Sequence, residues 1–282
     1  MTKDFTIQAK NLHFDYNEKT QVFNDHNIHL VVSKSQKNKL YGIIGPSGTG
    51  KTTLISILGG QLKPTKGNIE IDKVNIYEVT DSIRRGLITM QMQTSTSLRG
   101  KLKYNMVFGL PENTFTPINS DDEQVEQDDN NTAVQYTDDY LIQVLKNVGL
   151  WSIFKDKDGL DTLIGEGGLN LSGGQRQRLN FAGLYLRAKH FEPSLILIDE
   201  PTSSLDEISE MAITKMILEL AEIAVTFVVA HRLKTLEEAV AILDSSLIDT
   251  YKDLNFYSRS QLKTKSQYYQ DLMAGKAKLD DE

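Results

Sequence analysis

The sequence predicts an α/β fold in which a parallel sheet carries its chemistry at one edge and an antiparallel β layer lies beside it. Three observations predict this. First, Leu40-Tyr41-Gly42-Ile43-Ile44 runs into Gly45-Pro46-Ser47-Gly48-Thr49-Gly50-Lys51-Thr52-Thr53 and then Leu54-Ile55-Ser56-Ile57-Leu58, a strand, a glycine-rich loop and a helix. Second, Leu195-Ile196-Leu197-Ile198, an unbroken apolar run of the kind buried on both faces of a sheet, ends at Asp199-Glu200. Third, Val225 to Ala230 is another such run and ends at His231. Each places polar groups at the carboxyl end of a buried strand, where open α/β sheets bind ligands.

The elements follow in order. Phe5 to Leu12 alternates apolar and polar residues as a half-buried strand does, and Ile28-His29-Leu30-Val31-Val32 is a second strand. Ser33 to Lys39 is a charged turn. A helix is expected over 51–60, then a turn at Pro64-Thr65-Lys66-Gly67 and an alternating strand at Asn68-Ile69-Glu70-Ile71-Asp72. Leu87-Ile88-Thr89-Met90 is a further strand candidate, and an amphipathic segment ends near Phe108-Gly109. Leu141, Val144, Leu145 and Val148 have helical spacing, with Gly149 as an end signal. Leu171-Ser172-Gly173-Gly174-Gln175 precedes a helix with Leu179, Ala182, Gly183 and Leu186 on one face, and Ser172 stands at its start. Ser204-Leu205-Asp206-Glu207 fits a capping box opening the helix through Met211 and Ile217.

Composition narrows the classes. At 282 residues, with 39% hydrophobic and 24% charged content, the chain suits a globular protein of one large domain or two lobes. No apolar run reaches the length of a membrane span, and Met1-Thr2-Lys3-Asp4 opens into mixed sequence without a secretory signal. The absence of cysteine excludes disulfides and thiolate metal sites. Nine of the 38 acidic residues fall between Pro111 and Tyr140, where there is no Lys or Arg; the remaining 29 face 31 basic residues. The net charge of −7 therefore belongs to one polar insertion, about 111–137, and no basic face suited to nucleic acid is expected.

The residues of 45–53 suit a phosphate-binding P-loop. Glycines let successive N–H groups turn inward, the helix adds its positive end, Lys51 can reach the β- and γ-phosphates, and the Thr52 hydroxyl can ligate Mg²⁺. This points to a nucleoside triphosphate. Adjacent side chains at a strand end point apart, so Asp199 can face a metal while Glu200 faces an attacking water. Ser172 and its two glycines form a second anion-binding helix start. Two such devices for one triphosphate suggest two chains that share nucleotides.

With these motifs in this order, the chain resembles the nucleotide-binding domain of an ABC transporter over roughly 5–110 and 140–272. The resemblance implies a RecA-like P-loop core at about 1–93 and 186–250 with an antiparallel β layer. It also implies a helical subdomain at about 94–185 and a C-terminal segment at 251–282. It implies ATP and Mg²⁺, with Tyr16 stacked on adenine and Gly45, Ser47, Gly48, Thr49, Gly50, Lys51, Thr52 and Thr53 around the phosphates. Thr52, Gln93 and Asp199 would serve the metal, and Glu200, His231, Gln93 and Lys51 catalysis. Leu171–Gln175 matches the signature motif, so Ser172, Gly174 and Gln175 would cap ATP held by a second such domain, identical or not. Asp206 matches the loop that crosses that interface.

Thr162–Gly168 and the tail from Gln261 to Leu272 resemble exporters. Exporters carry membrane helices N-terminal to this domain, so the resemblance implies a membrane domain on the full-length chain or on a separate subunit. It also implies a location at the cytoplasmic face of a membrane for a chain that is itself soluble. Departures are Gly167 for the usual arginine, Ser204 for the usual alanine, the acidic insertion, and the lack of the usual glycine near Ser245-Ser246. The alternative is an ABC ATPase of translation or DNA repair. Such proteins usually carry two such domains or a long coiled-coil insertion, and neither is present.

Overall fold

A computed structural model describes residues 4–17, 20–92, 97–111, 136–165, 171–202, 205–230 and 233–276. The chain forms two compact units, Met1–Thr94 with Phe191–Glu282, and Ser95–His190. Residues 112–135 of the acidic insertion, Gln93 and His231 lie outside the described residues.

The first unit holds two sheets. Strands β1 (Phe5–Asn17), β2 (Thr20–Val32), β4 (Lys66–Ile71) and β5 (Val74–Asn75) form an antiparallel sheet in the order β2-β1-β4-β5. Strands β3 (Leu40–Ile44), β6 (Ile88–Gln91), β9 (Leu195–Asp199), β10 (Val225–Val229) and β11 (Ala241–Asp244) form a parallel sheet in the order β11-β3-β10-β9-β6. β3, β9 and β10 are buried throughout, as apolar strands must be when both faces are covered. Helix α1 (Lys51–Leu58) follows β3, and one core joins both sheets: Ile7, Phe23 and Ile28 meet Ile43, Leu54, Ile57, Leu197 and Phe227.

β1 shows how a local conformation corrects a pattern. Phe5, Ile7 and Ala9 are buried, yet so are Leu12 and Phe14, on the opposite parity. A period of two cannot bury both sets unless the strand slips by one residue. The register slips between Ala9 and Leu12, where Asn11 takes φ 50° and its N–H donates to Asn27 Oδ1 at 3.0 Å. The bulge returns the apolar side chains to the core.

Helix α2 (Asp81–Leu87), not expected from sequence, precedes β6; Thr80 caps it by accepting from the Ile83 N–H. Helix α7 (Glu207–Ile223) corrects a second expectation. Its N-cap is Asp206, and the helix opens at Glu207. The Asp206 carboxylate accepts from the Ser209 N–H at 2.9 Å and the Ser209 hydroxyl at 2.8 Å, which satisfies the free donor of the first turn. Lys39 finishes the other end, its ammonium donating to Glu222 O at 2.7 Å. Helices α8 (Leu233–Glu237), α9 (Arg259–Lys265) and α10 (Gln267–Met273) complete this unit, with a 3-10 turn at Ser245–Leu247 directly after β11.

The second unit contains β7 (Gly100–Lys101), α3 (Leu102–Val107), α4 (Asp138–Asn147), α5 (Trp151–Phe154), β8 (Leu163–Ile164) and α6 (Gly173–Phe191). β7 and β8 pair antiparallel. Asn105 braces the turn into α3, accepting from Leu98 N–H at 2.8 Å and donating to Leu98 O at 3.0 Å. Leu179, Ala182, Gly183 and Leu186 are buried on α6, as their spacing requires.

Candidate nucleotide-binding and catalytic site

The loop between β3 and α1 is shaped by its glycines. Gly45 has φ 143°, and a Cβ there would lie 1.9 Å from Ser245 Oγ. Gly50, at φ 87°, is the N-cap of α1, and a Cβ would meet Val22 Cγ1 at 2.6 Å. No other residue type fits either position. Ser47 and Gly48 are exposed at the loop crest, while Lys51 is buried beneath it. The Lys51 ammonium donates to Gly45 O at 2.8 Å and Pro46 O at 2.7 Å, so the loop closes around its own cation. Thr49 Oγ1 lies 2.7 Å from Pro46 O. Thr52 is exposed at the first turn of α1, and Thr53 is buried.

Tyr16 ends β1 beside this loop. It is 55% exposed, which removes the core role a strand-end tyrosine would ordinarily have. Its hydroxyl is 3.0 Å from Thr53 Oγ1, and Phe14 packs edge-on against its ring at 5.0 Å. A half-exposed aromatic, tied through its hydroxyl to α1, thus stands next to the helix start.

The sheet register brings the carboxylates to the same edge. Val229 of β10 pairs with Ile43 of β3 on one side and Asp199 of β9 on the other. At ordinary strand spacing this puts the Ile43 and Asp199 backbones ~10 Å apart, with both chains leaving the same edge. Asp199 is wholly buried. Glu200 takes φ 48°, in the left-handed region, with its N–H donating to Val229 O at 3.1 Å. A non-glycine residue held there is uncommon and clusters at functional sites. Gln91 is buried within β6, paired with Ile198.

Ser172, Gly174 and Gln175 are in the second unit, at the start of α6. Ser172 and Gln175 cap the helix reciprocally: the Gln175 N–H donates to Ser172 Oγ at 3.2 Å, and the Ser172 N–H to Gln175 Oε1 at 3.0 Å. Asp206 is in the first unit, its carboxylate engaged with Ser209. The first unit therefore gathers Tyr16, residues 45–53, Asp199, Glu200 and Asp206. One residue against the loop was not assigned from sequence: Ser245, whose hydroxyl touches Thr49. Its only sequence signal was the missing glycine at that point.

The comparisons with known proteins bear on family and fold. The family model described as ABC transporter matches residues 27–203. An uncharacterized ABC transporter ATP-binding protein of Bacillus subtilis, YwjA, is 35% identical over 84% of this chain and 36% of its own length. A multidrug resistance ABC transporter ATP-binding and permease protein of Lactococcus lactis subsp. lactis is 33% identical over 83% of this chain and 35% of its own. A putative export ATP-binding/permease protein of Rickettsia typhi is 30% identical over 95% and 41%. The structure of a bacterial Atm1-family ABC exporter with ATP bound superposes with a TM-score of 0.73 at 24% identity, covering 98% of this chain and 43% of that one. The chain thus spans between 35% and 41% of the lengths of these three curated relatives. A closed glycine loop over Lys51, paired carboxylates at the same sheet edge and these matches lead to one conclusion: the chain belongs to the ABC transporter family and has the fold of its ATP-binding domain.

Proposed function

We propose that this chain is the ATP-hydrolysing motor domain of an exporter-type ABC transporter and that it works as a pair sharing two nucleotides. The observation that carries the reading is the common edge of β3, β10 and β9, which brings the P-loop and Asp199-Glu200 out side by side. The glycine loop and Lys51 bind the triphosphate, and the exposed ring of Tyr16 takes the adenine. Thr52 and Asp199, hard oxygen donors, suit Mg²⁺. Bound there with the nucleotide, Mg²⁺ neutralises charge on the β- and γ-phosphates.

Glu200 orients or deprotonates the attacking water, and the left-handed backbone that holds it sets where its side chain leaves the chain. Gln93 and His231 follow the carboxyl ends of β6 and β10 in the chain and sense the γ-phosphate. Ser172, Gly174 and Gln175 cap the nucleotide of the partner domain with the free N–H groups of the α6 start. Loss of the γ-phosphate removes the charge that joins the pair, and the opening is passed to membrane helices. The names of the Lactococcus and Rickettsia relatives, which pair ATP binding with a permease, support transport over a role in translation or DNA repair. Among the described residues no helix is long and apolar enough to cross a membrane, so the membrane domain is assigned to another segment or subunit.

The test is hydrolysis and ATP binding by the purified chain. Glu200→Gln should keep ATP binding and lose turnover by about a hundredfold or more, and Lys51→Ala should lose binding itself. Near-normal turnover by Glu200→Gln would overturn the assignment.

A further inference from the structure

We propose that Ser245 is a positioning residue of the nucleotide site, pinning the P-loop through the Thr49 hydroxyl while Lys51 exchanges loop carbonyls for phosphate. The inference rests on the reading of residues 45–53 as an ATP site. Ser245 is 2% exposed, far along the chain from the loop, in the 3-10 turn after β11. Its Oγ lies 2.5 Å from Thr49 Oγ1 and 2.9 Å from Ile44 O, the last residue of β3. The Cβ that Gly45 lacks would fall on the same oxygen. Gly45, Thr49 and Ser245 therefore converge on one point at the base of the loop.

The hydrogens of this cluster can be counted. Each hydroxyl carries one. Three contacts need one: Ser245 to Ile44 O, Thr49 to Pro46 O, and the link between the two hydroxyls. Two hydrogens cannot serve all three. Pro46 O has a second donor in the Lys51 ammonium at 2.7 Å. While Lys51 is there, Thr49 can donate to Ser245 and Ser245 to Ile44 O, so every acceptor is served. When Lys51 turns to a phosphate, Thr49 is placed to donate to Pro46 O in its stead, and Ser245 can donate to Thr49, giving up its own bond to Ile44 O. The pair thus holds the turn together in both positions of the lysine. An apolar residue at 245 would leave Thr49 without its anchor and the turn free to spread.

The pin is itself held from behind. Asp244 accepts from the Ser246 N–H at 2.8 Å and from the buried Ser266 hydroxyl, which caps α10 by accepting from the Tyr269 N–H at 2.8 Å. The C-terminal helices therefore help to set where Ser245 stands.

The test is ATP affinity and steady-state hydrolysis of the 282-residue chain. Ser245→Ala should raise Kd and KM for ATP by about threefold to tenfold, the effect of one ordinary hydrogen bond, while kcat changes by less than about twofold. Thr49→Val should raise KM more than Thr49→Ser, which keeps the hydroxyl. The double variant Ser245→Ala/Thr49→Val should be no weaker than Thr49→Val alone, because one contact cannot be lost twice. Unchanged affinity in Ser245→Ala, or penalties that multiply in the double variant, would overturn the inference. Should Ser245→Ala fail to fold, equal KM values for Thr49→Ser and Thr49→Val would do so. A wild-type chain that binds no ATP would instead bring down the reading of the site, and the inference with it.

Discussion

Glu200 at φ 48° sets stability against chemistry at a single residue. Holding an L-residue in the left-handed region costs roughly 1–2 kcal/mol, while glycine there adds back roughly 0.5–1 kcal/mol of unfolded-chain entropy. Glu200→Gly should therefore stabilise the fold by up to about 1 kcal/mol and abolish hydrolysis. Thermal unfolding and turnover on the same preparation check this; a variant that is both less stable and inactive would mean that Glu200 is needed for folding. The residue types at this site were legible in the sequence, since glycine, lysine and threonine at P-loop spacing have few other uses, and two carboxylates after an apolar run, often only a solvated strand end, gain meaning from that loop upstream. The strain was not, because no residue type announces a positive φ at a glutamate. Ser245 was equally hidden: its partner Thr49 is 196 residues away.

At the scale of elements, the caps decide where helices begin. Asp206 holds the first turn of α7 through Ser209, and Asp206→Ala should cost about 1 kcal/mol in unfolding experiments. Asp206→Asn retains a good cap and should stay within about 0.5 kcal/mol of wild type. A loss of hydrolysis in Asp206→Asn without loss of stability would place the carboxylate charge in function. An equal loss of stability in both variants would contradict the capping role. The central strands were legible, since short, near-continuous apolar runs such as Leu195–Ile198 suit strands covered on both faces. Helix α2 was missed because none of its residues is buried, so its sequence carries no apolar face. β1 was legible as a strand from Phe5 to Leu12, but its faces only as far as Ala9, since the bulge at Asn11 switches the parity.

At the scale of the whole molecule, two predictions stand. Glu200→Gln with Mg-ATP should double in mass by light scattering, since a shared nucleotide that is not hydrolysed keeps the pair closed; a persistent monomer would overturn self-pairing. The second concerns alkaline pH. Tyr77 donates to Ile57 O and Leu62 O at 2.6 and 2.7 Å, and burial pushes its pKa up. Tyr136 donates to Leu186 O at 3.1 Å, and burial, with Tyr140 nearby, raises it to about 12 from an ordinary 10.0. An unfolded chain ionises these phenols near pH 10 while the folded one keeps its protons, so the unfolded state binds fewer protons above that pH. The stabilisation is complete below pH 10 and should fall between pH 10 and about 12. Tyr136→Phe should make that fall shallower in denaturant titrations across this range; an unchanged slope would contradict it.

What the sequence by itself determined is the local chemistry: the glycine loop with Lys51 and Thr52, the carboxylates after β9, and the serine-glycine start of α6. These are set by residue type and short spacing, and backbone sterics and helix-end donors act over a few residues. The tertiary structure decided which of these meet. Strand order places β10 between β3 and β9, so that the loop and Asp199-Glu200 share an edge although roughly 150 residues separate them. It also brings Ser245 onto Thr49 and Tyr16 onto Thr53. Such meetings depend on the packing of a whole core, and no spacing along the chain encodes them.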